Sequence, residues 1–239
     1  MKLDIEKAFK YPLRDPKWLT KMLIGGVLSI IPIANFITWG YCVRIIKDTA
    51  EGSDEKLPEW QDMGAYFMQG LTLLAIYMIY YIPMIFMMVF TISSISSSGA
   101  FSIFTSGDLS EKTVLEGINV LNRAVPALIS WLSSLYGLFF SIMLPAVLIA
   151  YVSTGDFKAA FNVGRIFNYM LSNIGTYLLF LLLALLAQLV AYAGLLACCV
   201  GIVFTLFYAY VFMSHLLGQM MPPPQAFADE MPLPPGVKD

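Results

Sequence analysis

The chain has one imidazole, His215, and that residue bounds the chemistry available to it. One histidine cannot build a histidine-rich metal site, and neither HExxH nor a paired Glu-x-x-His is present. Ser and Asp fall together at 106–110, but no spacing ties them to His215 as a triad. The phosphate-cradling GxxxxGK, the GxSxG elbow and the GxGxxG fingerprint are missing. Cys42, Cys198 and Cys199 sit in apolar stretches without a CxxC pair and read as small hydrophobes. The carboxylates Asp48, Glu51, Asp54, Glu55, Glu59 and Asp62 alternate around Lys56 but lack calcium-loop spacing, which suggests a solvated loop. No catalytic residue, metal or cofactor is expected, and the chain does not read as an enzyme.

Elements rich enough in apolar residues to hold these few polar groups fill most of the chain. Of 239 residues, 13% are charged, against about 25% in soluble domains. Residues 22–43, 63–107, 124–155 and 166–228 contain no Asp, Glu, Lys or Arg, 162 positions in all. Water does not solvate that much uncharged apolar chain, and a net charge of −2 offers nothing to nucleic acid. The expected fold is all-α, a polytopic helical membrane protein, with the lipid bilayer as its first partner.

Within residues 1–21, Asp4 can cap a helix whose Ile5, Ala8 and Phe9 share one face, and Trp18 suits the headgroup layer. The run Met22–Ile46 is long enough to cross, yet Pro32 and Asn35 interrupt it, leaving arms too short to span. A kinked span and a hairpin that turns back are both open. Leu57-Pro58-Glu59-Trp60 is expected to open another interfacial helix, with Pro58 in its first turn. Spans are expected over 67–92, 126–151, 174–194 and 198–218. Asp108 and Glu111 form a capping box for a separate surface helix bearing Val114, Ile118, Leu121 and Val125. Asp156-Phe157-Lys158-Ala159-Ala160-Phe161 matches Asp4–Phe9 at three of six positions, a hint of an internal repeat. Residues 1–221 thus form one helical membrane domain, and 222–239 a proline-rich tail.

The pattern DIEKAFKYPLRDPKWLTKMLIGGVLSIIPIANFITWGY, Arg44, EG…LPEW at 51–60 and the closing Phe207-Tyr208…Ser214-His215-Leu216-Leu217-Gly218-Gln219 resembles a prokaryotic family, domain of unknown function 4013. The resemblance covers residues 1 to about 220 and is most specific in the first 60. It implies a plasma-membrane protein of bacteria or archaea. It carries over no catalytic residues, because the family has no assigned activity.

Ionisable groups inside a membrane usually mark a transport path, and here only His215 lies in the long uncharged runs. With Asn35, Gln69 and Gln188 it is a candidate for helix packing or a polar site, a hydrogen bond across helices being the plainer role. Arg44 and Lys47, one turn apart at the end of the first apolar run, could hold lipid headgroups or simply fix orientation. Ala184, Ala187, Ala191 and Gly194 form a small-residue stripe beside Gln188, suited to close helix packing. The expected function is a non-catalytic accessory or assembly subunit bound to other membrane subunits. The rival is a permease or lipid-handling protein with a site at the broken segment.

Charge bias selects between the topologies. If Met22–Ile46 turns back, twelve of the fourteen basic residues share one side with both termini. The positive-inside rule makes that side cytoplasmic. A protease-cleavable tag on the C-terminus should therefore be cut only after the membrane is permeabilised. Cutting from outside intact cells refutes this topology.

Overall fold

The computed structural model describes residues 3–97, 112–194 and 200–221. They are mostly helical, with no strand among them. The helices are α1 (Ile5–Lys10), α2 (Trp18–Ile30), α3 (Asn35–Ala50), α4 (Met63–Ser97), α5 (Lys112–Thr154), α6 (Val163–Ser172), α7 (Ile174–Ala193) and α8 (Val200–Met220). Four stretches are long and apolar enough to cross a membrane: Trp60–Ser93, Ala124–Thr154, Ile174–Ala193 and Gly201–Met220.

Two compact units result, residues 1–76 with 143–239, and residues 77–142. In the first, α8 is the central helix, packed by α1, α2, α3 and α7. In the second, Tyr80 and Tyr81 of α4 pack on Phe140 of α5 at ring separations of 5.0 and 5.2 Å. Tyr136 donates to the Tyr80 carbonyl there at 2.6 Å.

The broken first segment turns back. Gly25 and Gly26 of α2 face Phe207 and Val203 of α8, so α2 runs against α8. On α3, Tyr41 meets Phe207, and Ile46 and Thr49 meet Gly218, so α3 runs with α8. The two arms are 13 and 16 residues, about 20 and 24 Å at 1.5 Å per residue. Neither spans a ~30 Å hydrocarbon core. Pro32 has no N–H to lose, and Asn35, Phe36 and Ile37 donate back to Ile31, Ile33 and Ala34, so the bend satisfies its own backbone. Ile31 and Ile33 stand exposed at its tip, an apolar point for lipid.

Three expectations are corrected. No interfacial helix begins at Leu57; residues 57–59 are irregular, and a 3-10 turn at Trp60–Asp62 leads directly into α4. No separate surface helix precedes the third apolar run, because α5 continues unbroken through Pro126. Lipid-embedded helices accommodate such a proline by local adjustment of the freed carbonyl. The loop expected to be solvated buries Asp48, Asp54, Leu57 and Trp60. The Asp108–Glu111 box, Cys198, Cys199 and the tail lie outside the described residues.

Other expectations hold. Asp4 caps α1 by accepting from the Lys7 N–H at 2.8 Å. Asp156 accepts from the Lys158 N–H at 3.0 Å and Ala160 is buried as Ala8 is, but Phe157–Phe161 is a 3-10 helix where Ile5–Lys10 is α-helical, so the two copies share a cap residue and a buried alanine but not their backbone. Ala191 and Gly194 of the small-residue stripe are buried against α8, where Thr205 donates to the Ala191 carbonyl at 3.1 Å.

Helices α3 and α4 touch backbone to backbone through Gly40 on Tyr66 and Gly70 on Phe36. A methyl at Gly40 would overlap the Tyr66 carbonyl, which is main chain and cannot rotate away. Gly40→Ala should lower unfolding free energy in detergent by about 1–3 kcal/mol. Gly64→Ala, with open space around it, should leave that value unchanged or slightly raised. Equal stability of the two variants would contradict the packing.

Candidate functional site

The residues of the acidic loop build a buried polar collar around the last turns of α8. Chain leaves α3 through Gly52, at a φ of 73° that favours glycine, and enters an irregular stretch. Such a stretch cannot satisfy its own carbonyls, so side chains must do so. The carbonyls of Lys56, Leu57, Pro58 and Glu59 accept in turn from Tyr11 Oη at 3.1 Å, Lys21 Nζ at 2.7 Å, Tyr41 Oη at 2.9 Å and Tyr66 Oη at 2.9 Å. Four donors from the N-terminal segment, α2, α3 and α4 thus hold four consecutive peptide units. Trp60 stacks on Tyr41 with centroids 4.0 Å apart and planes within 9°, and its Nε1 donates to the Lys21 carbonyl at 3.2 Å.

Lys21 is buried yet fully satisfied. Its ammonium reaches Asp15 Oδ2 at 2.7 Å, Glu59 Oε1 at 2.8 Å and the Leu57 carbonyl, one acceptor for each N–H. Asp15 is itself buried, and its other oxygen accepts from the Lys17 N–H at 2.7 Å. Burial alone would raise its pKa, but the Lys21 and Lys17 hydrogen bonds outweigh burial and hold it below the usual carboxylate range.

A second network closes the collar on α8. His215, with no exposed surface, lies 2.7 Å from Asp54 through Nε2 and 3.1 Å from the Gln219 amide nitrogen through Nδ1. The Asp4 N–H donates to Gln219 Oε1 at 2.7 Å, which fixes the amide so that its nitrogen faces Nδ1. Nδ1 is therefore the acceptor, and Nε2 carries the proton given to Asp54. Tyr11 packs on the His215 ring at 4.5 Å, and Lys7 reaches Asp54 Oδ2 at 2.7 Å. Burial works to raise the Asp54 pKa, but the hydrogen bonds from Lys7 and His215 and the charge of Lys7 prevail and lower it. Both imidazole nitrogens are engaged inside the protein. The arrangement can clamp Asp4, Asp54 and α8 together, and it presents no free nitrogen to a substrate.

The remaining candidates lie apart. Asn35 Oδ1 on α3 and Gln69 Oε1 on α4 are buried without a hydrogen-bond partner, as are the hydroxyls of Thr38 and Thr49. Gln188 is half-buried on α7. Arg44 is exposed and pairs with Asp48 one turn on at 2.8 Å, while Lys47 is half-buried. Gln69, Arg44, Asp48, Glu59, Asp62 and Tyr66 line a small polar cleft of about 240 Å³. Gln69 lines this cleft without Asn35 or Gln188, and the apolar groove between α2, α7 and α8 holds none of the three. Sequence reasoning missed Asp15, Lys21 and Asp54, whose charges resemble those of any membrane-edge loop. Leu57 and Trp60, large apolar residues among carboxylates, were the available signal that the loop packs inward.

Four helices long and apolar enough to cross a membrane among the described residues, with a hairpin of two shorter helices packed on α8, define a polytopic helical membrane protein. Residues 24–200 match the family described as Protein of unknown function (DUF4013), and the chain belongs to that family. The match includes the hairpin and the acidic loop but not α1 or His215. No curated protein and no solved structure matches the chain.

Because Asp15 and Asp54 titrate below the ordinary value of ~3.9, they stabilise the fold at and above that pH. Their contribution is lost as pH falls through the depressed values. The thermal midpoint in detergent should therefore be lower at pH 3 than at pH 7. Asp54→Ala, which strips part-exposed Lys7 and buried His215 of their partner, should cost about 1–3 kcal/mol at pH 7 and flatten the acid response. A wild-type midpoint as high at pH 3 as at pH 7 contradicts this account.

Proposed function

We propose that the protein is a non-catalytic accessory or assembly subunit of a larger membrane complex. The observation that carries this reading is a mismatch of length. Within the candidate spans Trp60–Ser93 and Ala124–Thr154, α4 over 63–93 and α5 over 124–154 each run 31 residues without a charge. At 1.5 Å per residue each measures about 46 Å, against a hydrocarbon core of ~30 Å. Even at 40°, the upper end of observed tilts, about 35 Å of uncharged helix remains along the membrane normal. Phe86 on α4 and Trp131 on α5 are 73% and 71% exposed on these stretches. Apolar helix beyond the lipid needs another apolar surface, and a neighbouring subunit supplies one. The engaged nitrogens of His215 support a clamp rather than a catalytic base.

We further assign the protein to a prokaryotic plasma membrane with both termini cytoplasmic. The Asp4–Gln219 hydrogen bond supports this by placing the two ends of the helical domain together. The basic residues of the collar and of residues 153–173 gather there as well, since Tyr169 of α6 bonds the Met220 carbonyl at 2.7 Å.

The test is mild extraction from native membranes, with photo-crosslinking residues at Phe86 and Trp131 and a control at Leu182 on α7. A discrete complex larger than the monomer, with one defined protein crosslinked at positions 86 and 131 but not 182, is expected. A lone monomer carrying a bound solute would overturn the subunit reading.

A further inference from the structure

The first unit contains an apolar groove of about 340 Å³ that the collar does not use. Phe9 of α1 and Trp18 and Met22 of α2 form one wall, and Ala187 of α7 with Phe204 and Tyr208 of α8 forms the other. Tyr208 bonds the Phe9 carbonyl and meets the Phe9 ring edge-on at 5.7 Å, so α1 is held as a cover at one end. Leu186 and Val190 on the rim are exposed, which opens the groove toward the surrounding hydrocarbon. A groove that starts under an interfacial helix and opens along two spans has the shape of an acyl-chain site.

The charges beside it indicate which lipid. Among the basic residues described before α3, Lys7, Lys10 and Lys21 are committed to Asp54, Glu6, and Asp15 with Glu59. Arg14 and Lys17 are exposed and form no ion pair among the described residues. Both lie in the short link between α1 and α2, the two elements whose Phe9 and Trp18 line the mouth. Two unneutralised cations at the membrane edge attract an anionic headgroup. We propose that the groove holds an acyl chain of one anionic phospholipid whose phosphate is taken by Arg14 and Lys17.

Native mass spectrometry of the full chain in detergent tests this, with phosphatidylglycerol and phosphatidylcholine of identical acyl chains as probes. One phosphatidylglycerol should be retained about tenfold more tightly than phosphatidylcholine. The double variant Arg14→Gln/Lys17→Gln, which breaks no internal pair, should abolish that preference. Ala187→Trp, which fills the groove, should abolish retention of both lipids while the thermal midpoint stays that of wild type. Equal retention of the two lipids by wild type means an annular lipid only and overturns the proposal. Undiminished phosphatidylglycerol binding by the double variant, or by a folded Ala187→Trp, places the lipid elsewhere and overturns it too.

Discussion

Four successive backbone carbonyls, from Lys56 to Glu59, are met by side chains without a helix or sheet to satisfy them. The donors that meet them, Tyr11, Lys21, Tyr41 and Tyr66, come from four different segments. The register of the N-terminal segment, the hairpin arms and the start of α4 is thereby set against one short stretch of chain. At buried Leu57 an unmet carbonyl would cost about 1–3 kcal/mol, a large share of the 5–15 kcal/mol that holds a typical protein folded. The hairpin depends on this most. Its arms are too short to be anchored by crossing the bilayer, and the collar holds them where lipid cannot.

The collar also explains how so many ionisable groups tolerate a position against a membrane. Lys21 meets an acceptor for each of its hydrogens, and Asp54 receives Lys7 and His215 together. Burying these charges singly would be prohibitive, and burying them in saturated sets yields directional contacts that fix geometry. Aromatic stacking of Tyr41 on Trp60 then seals the sets from water with apolar surface.

Local signals in the sequence carry the span count and the break at Pro32–Asn35, because uncharged runs and a missing N–H act within a few residues. The same signals misplace the start of α5, since Pro126 ends a helix in water but not in lipid. The collar was not legible for a different reason. Asp54 and His215 are separated by 161 positions, and an aspartate destined for a buried histidine looks the same in sequence as one facing solvent. Asn35, Gln69 and Gln188 look alike on paper, each an amide in an apolar run. Only the packing of α3 on α4 and of α7 on α8 separates the first two from the third.

The bond between Asp4 and Gln219 joins residues 215 positions apart. During synthesis α1 emerges before α8, the helix that holds its cap residue. Until α8 inserts, Asp54 lacks His215, α2 and α3 lack the helix they flank, and the acidic loop has no central post to close around. The charged set at Asp54 and the hairpin's packing partner are therefore complete only once α8 has been made. A chain cut short before α8 would carry every element of the hairpin and still have nothing to hold it in place.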